Sequence, residues 1–267
     1  MKIKTIGILG SGQLGRMIAI AAAEMGVRAH IFAPDATGSP AAEVAFAATQ
    51  AEYSDEAALR AFANTIDAVT SEFENVPAEA MRLLNDYFPA SPGAEALHIA
   101  QNRLREKELA KSLGIETPAY SAIRSEEDLS AALATLSGKA ILKTTELGYD
   151  GKGQIRVSGG NMDAATLWAD LKTDEAILEG FVDFKAEVSF LVWRDSEGQM
   201  GVFPPAQNIH KEGILAKSVA PAPDISATVI EAGNRAVGAI AEAVDLHGIL
   251  AMEAFVGTDD RLIFNEI

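Results

Sequence analysis

The sequence contains no cysteine, few aromatic residues (6%), and only 22 Lys+Arg against 38 Asp+Glu, a formal net charge of −16. Without thiols there can be no disulfides, thiolate nucleophiles or cysteine metal sites. The shortage of positive charge argues against non-specific nucleic-acid binding, which relies on basic surface to neutralise phosphates. A polyanion bound here must be held locally, by a few lysines, backbone N–H groups and metal ions. Long apolar runs are also lacking. The longest near the N-terminus, Met17–Ala23, is far short of the ~20 residues that span a bilayer. Lys2 and Lys4 precede only a brief apolar stretch before Gly10, with no leader cleavage pattern. The expectation is a soluble cytoplasmic protein with neither a membrane nor a nucleic-acid partner.

A length of 267 residues suits one large domain or two small ones. In the first hundred residues strand and helix patterns alternate: strands at Lys4–Leu9, Arg28–Phe32 and Ala68–Phe73, helices at Leu14–Met25 and Asp55–Ala63. Short connections between them imply right-handed crossovers and a parallel sheet covered on both faces. Prolines in Tyr87–Pro92 mark a further strand and a boundary. Beyond it come a long charged helix at Ala96–Leu113, helices at Glu126–Leu136 and Asp163–Leu171, and strands at Ala140–Thr144, Gln154–Val157 and Ala176–Val182. Hairpins follow at Glu187–Trp193 with Gly201–Gln207 and at Ile249–Val256 with Leu262–Ile267, separated by a helix at Ala227–Val244. This second part reads as α+β with antiparallel sheets. The chain stops inside an apolar strand at Ile267, which suggests the N-terminal portion of something longer.

Five constellations bear chemistry. Gly10-Ser-Gly-Gln-Leu-Gly15 fits G-x-G-x-x-G between a strand and a helix, with Asp35 twenty residues on; alone it points to an NAD-dependent dehydrogenase or to a plain glycine turn. Glu72 and Glu74 lie two residues apart at a strand's carboxyl end, placed to accept hydrogen bonds from an amine or ribose, although a solvated acidic loop would look the same. Lys143, on an alternating strand, leads into Gly148-Tyr-Asp-Gly-Lys-Gly-Gln154. Three glycines in six residues allow close backbone approach to phosphates, and Lys143 and Lys152 would offset their charge. The strand–loop–strand order excludes a Walker A loop. Glu179-Gly-Phe-Val182, followed by Glu187, could form a purine slot, although an edge strand would look the same. Lastly, Glu253 and Glu266 face each other across a predicted hairpin, with Asn265 adjacent. Carboxylates in apolar strands need a partner, and an oxygen-seeking cation such as Mg²⁺ suits them.

Taken in order, these motifs resemble the ATP-grasp fold. Gly7–Met17, Ser71–Pro77, Gly148–Gln154 and Asn208-Ile-His210 closely resemble the 5-(carboxyamino)imidazole ribonucleotide synthase family of purine biosynthesis. The resemblance runs through the whole chain. It implies an α/β protein with an N-terminal Rossmann-like, pre-ATP-grasp domain at 1–95. A two-lobed α+β ATP-grasp domain would follow, with a small lobe at 96–177 and a large lobe at 178–267, its C-terminal part missing. It implies an ADP-forming carbon–nitrogen ligase that uses ATP and Mg²⁺, takes 5-aminoimidazole ribonucleotide and bicarbonate as substrates, and works as a homodimer.

By resemblance, ATP would be held by Arg103, Lys143, Gly148, Tyr149, Asp150, Gly151, Lys152, Gly153, Gln154, Glu179, Gly180, Phe181, Val182, Glu187, His210, Asn265 and Glu266. Glu253 and Glu266 would hold the metal. Gln13, Glu72, Glu74, Tyr149 and Asp150 would meet the ribonucleotide, and Lys143, Tyr149, Asp150 and Glu266 would take part in catalysis. In that family bicarbonate attacks the γ-phosphorus to give carboxyphosphate, and the ribonucleotide amine captures the carboxyl unit. Other readings are a different ATP-grasp ligase, such as the formate-using purine enzyme, the dehydrogenase, and a non-catalytic nucleotide sensor.

Overall fold

The computed structural model describes residues 3–135, 138–147, 153–158, 163–211 and 214–267. Two compact units form: Met1–His98 with Trp193–Gly201 and Ala241–Leu250, and Ile99–Val192 with Val202–Ile240 and Ala251–Ile267.

The first unit is built from β1 (Thr5–Leu9), α1 (Gln13–Glu24), β2 (Arg28–Ala33), β3 (Ala47–Gln50), α2 (Glu56–Ala63), β4 (Ala68–Ser71), α3 (Ala78–Asn85) and β5 (Ala90–Ser91). Its strands pair in parallel in the order β3-β2-β1-β4-β5. Apolar clusters gather on both faces, one around Leu9, Phe32, Phe62 and Met81, the other around Ile8, Ala19 and Ile31. Neighbouring residues Ile8 and Leu9 enter opposite clusters, as alternation along a strand requires. The expected doubly covered parallel sheet is therefore present, with β3 and α3 added. Four residues of modest hydrophobicity, Ala-Ala-Thr-Gln, gave β3 no strand signal of its own. Asp55 is not part of α2 but caps it, accepting from Ala58 N at 3.0 Å.

The second unit begins near α4 (Ala94–Ala100) and α5 (Arg103–Ser112). The single helix expected over 96–113 is broken because buried Asn102 accepts from Leu104 N and Arg105 N and so starts a new helix. There follow β6 (Tyr120–Ile123), α6 (Glu126–Thr135), β7 (Lys139–Thr144), β8 (Gln154–Ser158), α7 (Ala164–Leu171) and β9 (Ala176–Gly180). An antiparallel sheet ordered β6-β9-β7-β8 packs its core, including Leu129, Leu142, Leu167 and Leu178, beneath α6 and α7. The remaining elements are β10 (Phe184–Arg194), β11 (Met200–Val202), β12 (Ala206–Lys211), β13 (Ile214–Val219), α8 (Ala227–Ala243), β14 (Gly248–Gly257) and β15 (Leu262–Glu266). They form a sheet ordered β13-β12-β10-β14-β15, with β11 beside β10. The expected strand at 201–207 is instead two, β11 and β12, interrupted at Phe203-Pro204-Pro205, where proline supplies no N–H for a ladder. Among the described residues, no helix is long and apolar enough to cross a membrane.

Candidate active site

In the second unit the site grows from the register of β7 against β9. Ile141 lies opposite Glu179, and Lys143 is two residues along from Ile141, so Lys143 and Glu179 project from one face. Their side chains meet in an ion pair. Glu179 is buried, and its Oε1 lies 2.9 Å from Nζ of Lys107, one helical turn after Arg103 on α5. Burial opposes ionisation of Glu179, but Lys107 and Lys143 together hold its carboxyl down to about 2. Lys107 Nζ also donates to the Asn265 carbonyl at 2.6 Å, and Arg103 donates to Glu266 at 2.5 Å. A continuous polar chain thus runs from β7 through β9 and α5 to β15, joining the two sheets of this unit.

The strands of the terminal hairpin meet as expected: Glu253 of β14 pairs with Glu266 of β15, at a register shift next to Glu253. Burial, and then the nearby Glu266, raise the Glu253 pKa above the ordinary carboxylate range. Two carboxylates held side by side at such a cost are suited to a divalent cation. Among the described residues no group of three or more His, Asp or Glu forms a metal cluster. That donor set fits Mg²⁺, which takes few protein oxygens and fills its sphere from phosphates and water. Glu187 on β10 pairs with Nδ1 of His210 on β12, the two lying on adjoining antiparallel strands. At the end of β9, Gly180 N donates to Ala119 O and Phe181 N to Lys139 O. These bonds extend the ladders of β9 with β6 and β7 by a residue, beyond which Phe181 is exposed and Val182 half-buried.

The β7–β8 hairpin pairs Lys143 with Gln154. Gly153 closes it at φ +67, where an added Cβ would sit 2.8 Å from Thr144 Oγ1. The expected phosphate-loop residues Gly148, Tyr149, Asp150, Gly151 and Lys152 lie outside the described residues.

In the first unit the glycine turn shows what the motif alone could not. Glu72 follows β4 rather than lying on it, and its carboxylate accepts from Gly12 N at 2.6 Å and from Gly15 N. Gly10, at φ +113, would place a Cβ 2.2 Å from Glu72 Cγ. The N-terminus of α1 and its turn are therefore occupied by the protein's own carboxylate, where a dinucleotide pyrophosphate would otherwise lie. Asp35 accepts from Ser11 Oγ at 2.7 Å. Gln13 and Glu74 are exposed, and Glu74 accepts from Asn75 at 3.1 Å.

Sequence reasoning missed Asn102, Glu106 and Lys107. Asn102 donates to Glu146 at 3.1 Å, and buried Glu106 accepts from Ile267 N at 2.8 Å. A signal was available for Lys107: with Leu104 and Ala110 it occupies the buried stripe of α5, where an i, i+3 pattern calls for apolar residues.

A glycine-closed hairpin carrying a lysine, a buried carboxylate paired with it and two facing acidic strands define the ATP-grasp class. A family model for the ATP-grasp domain matches residues 108–267, and one for the ribonucleotide synthetase preATP-grasp domain matches 3–101. The N5-carboxyaminoimidazole ribonucleotide synthase of Brucella melitensis is 44% identical over 263 residues, 98% of this chain and 72% of that protein. Among solved structures, an ADP complex of N5-carboxyaminoimidazole ribonucleotide synthetase aligns with TM-score 0.90 at 38% identity, covering 98% of this chain and 69% of that one. The Staphylococcus aureus N5-carboxyaminoimidazole synthetase complexed with ADP gives 0.89 at 34% identity, with the same coverages. The chain belongs to the N5-carboxyaminoimidazole ribonucleotide synthase family.

Proposed function

We propose that this chain is an ADP-forming carbon–nitrogen ligase of purine biosynthesis that carboxylates the amine of 5-aminoimidazole ribonucleotide, using ATP and bicarbonate. The observation that carries this reading is the polar chain Lys143–Glu179–Lys107–Asn265, with Arg103–Glu266 beside it. It links the Lys143–Glu179 pair of one sheet, through Lys107 and Arg103 of α5, to Asn265 and Glu266 of the other. Phosphoryl transfer asks a protein mainly for positioning and charge stabilisation, and these groups are preorganised for both.

Lys143 and Arg103 neutralise the triphosphate, each exchanging an internal carboxylate for phosphate oxygens. Glu253 and Glu266 hold Mg²⁺, which when bound offsets the charge of the phosphates. Glu187 takes the ribose hydroxyls with His210 at its side, and Glu179–Val182 hold the adenine. We assign Gly148, Tyr149, Asp150, Gly151, Lys152, Gly153 and Gln154 to the phosphates, where a closed loop also protects the carboxyphosphate formed from bicarbonate against water. Gln13, Glu72, Glu74, Tyr149 and Asp150 are assigned to the ribonucleotide, and Lys143, Tyr149, Asp150 and Glu266 to catalysis. The lobe boundaries at residues 96 and 178, a homodimeric state, a cytoplasmic location and the absence of nucleic-acid and membrane partners complete the reading.

The test is ADP release with each substrate omitted in turn. ADP should form only when Mg·ATP, bicarbonate and 5-aminoimidazole ribonucleotide are all present. Release that follows formate in place of bicarbonate would transfer the chain to another ligase reaction.

A further inference from the structure

Among the described residues, Lys107 is the one lysine among the largest fully buried side chains, 1% exposed, and beyond its place in the polar chain no role above is assigned to it. Burying an ammonium is costly unless its protons find acceptors. The Asn265 carbonyl accepts one at 2.6 Å, and Glu179 Oε1 lies at an ion-pair distance of 2.9 Å. The Phe264 ring, centred 5.3 Å from Nζ, offers its face as a third contact. Arg103 and Lys107 stand four residues apart on α5 and so share a face, but they do different things. Arg103 reaches the carboxylate of Glu266, whereas Lys107 reaches the main chain one residue earlier and the Glu179 carboxylate of β9.

The consequence falls on Lys143. Glu179 has two oxygens and two ammonium partners, one oxygen to each. With Lys107 present, the buried carboxylate remains compensated when Lys143 leaves it for a phosphate. Without Lys107, Lys143 is the one ion-pair partner left to it among the described residues, and moving that ammonium onto a nucleotide would leave the buried charge without a direct pair. Lys107 therefore lowers the cost of releasing Lys143.

We infer that Lys107 is a positioning residue for nucleotide binding, a buried counterion that frees the Lys143 ammonium for phosphate and ties strand β9 to the strand bearing Glu266. This rests on the nucleotide reading given above.

A double-mutant cycle read by calorimetric titration with Mg·AMPPNP tests it, using the intact chain as wild type, Lys107→Met, Glu179→Gln and Lys107→Met/Glu179→Gln. Lys107→Met should weaken binding by about tenfold or more, whereas the double variant should bind within about threefold of Glu179→Gln alone, since no carboxylate remains to hold Lys143. A purely structural role would make the two losses multiply, and that result, or unchanged binding in Lys107→Met, overturns the inference. Should Lys107→Met fail to fold by thermal unfolding, Lys107→Arg replaces it: the charge is kept but displaced, so weaker binding by a folded chain supports the inference and wild-type affinity overturns it. No binding by the unaltered chain overturns the nucleotide reading and this inference together. Wild-type binding that Lys107→Met leaves unchanged overturns the inference alone.

Discussion

At the residue scale, the side chains that decide the chemistry are held by one another rather than by solvent. Glu106 is the clearest case. Burial, and then the charge of Glu266, push its carboxyl up to about 8 from an ordinary 4.5. The folded state thus keeps a proton that the unfolded chain has already released, and stability contributed by this group falls as pH rises from 4.5 towards 8. Glu106→Gln imitates the protonated form and keeps an oxygen for Ile267 N. Urea unfolding across that window should therefore show a flatter decline in the variant than in wild type; equal slopes would remove Glu106 as the source. The same crowding explains what the sequence could and could not convey. Lys143, Glu253 and Glu266 were legible because a strand's alternation assigns each to a face. Glu72 was legible as a carboxylate at a strand's carboxyl end, but not as the occupant of the glycine turn. The G-x-G-x-x-G spacing records the need for an anion and is silent on whether the anion is a ligand or the protein itself.

Among the elements, packing constraints show where side chains leave no room. Gly233 lies on α8 above Phe190 of β10, and an added Cβ there would fall 2.1 Å from the ring's Cζ. Phe190 is fully buried, so the ring cannot swing aside into solvent. Alanine would improve helix propensity by ~1 kcal/mol, but overpacking a filled core costs ~1–3 kcal/mol. Gly233→Ala should therefore lower the midpoint of chemical unfolding; a raised midpoint would mean that helix and sheet separate easily. Elements with strong periodicity, such as α8, β1 and β14, could be read from the sequence to within a residue or two. The break between α4 and α5 could not, because it depends on the Asn102 side chain turning back onto its own helix. The break has a structural consequence: it starts the helix at Arg103 and points Arg103 and Lys107 at β15 and β9. Strands β3, β6 and β13 escaped notice because their residues are short or exposed, and only pairing with neighbours makes them strands.

For the whole molecule, the parallel sheet of the first unit and the antiparallel sheets of the second follow from the change in sequence pattern near residue 95. Family membership rests on matches spanning nearly all of this chain. The central claim is narrower: the lysine strand β7 and the acidic strand β15, on different sheets, serve one triphosphate. Calorimetric titration of Mg·AMPPNP into wild type, Lys143→Met and Glu266→Gln addresses it most directly. The account predicts one nucleotide per wild-type chain and a loss of affinity of about tenfold or more in each variant, with the Glu266→Gln loss shrinking when Mg²⁺ is withheld. Full affinity in either variant, while the other loses binding, would place the two residues in separate sites and contradict the account.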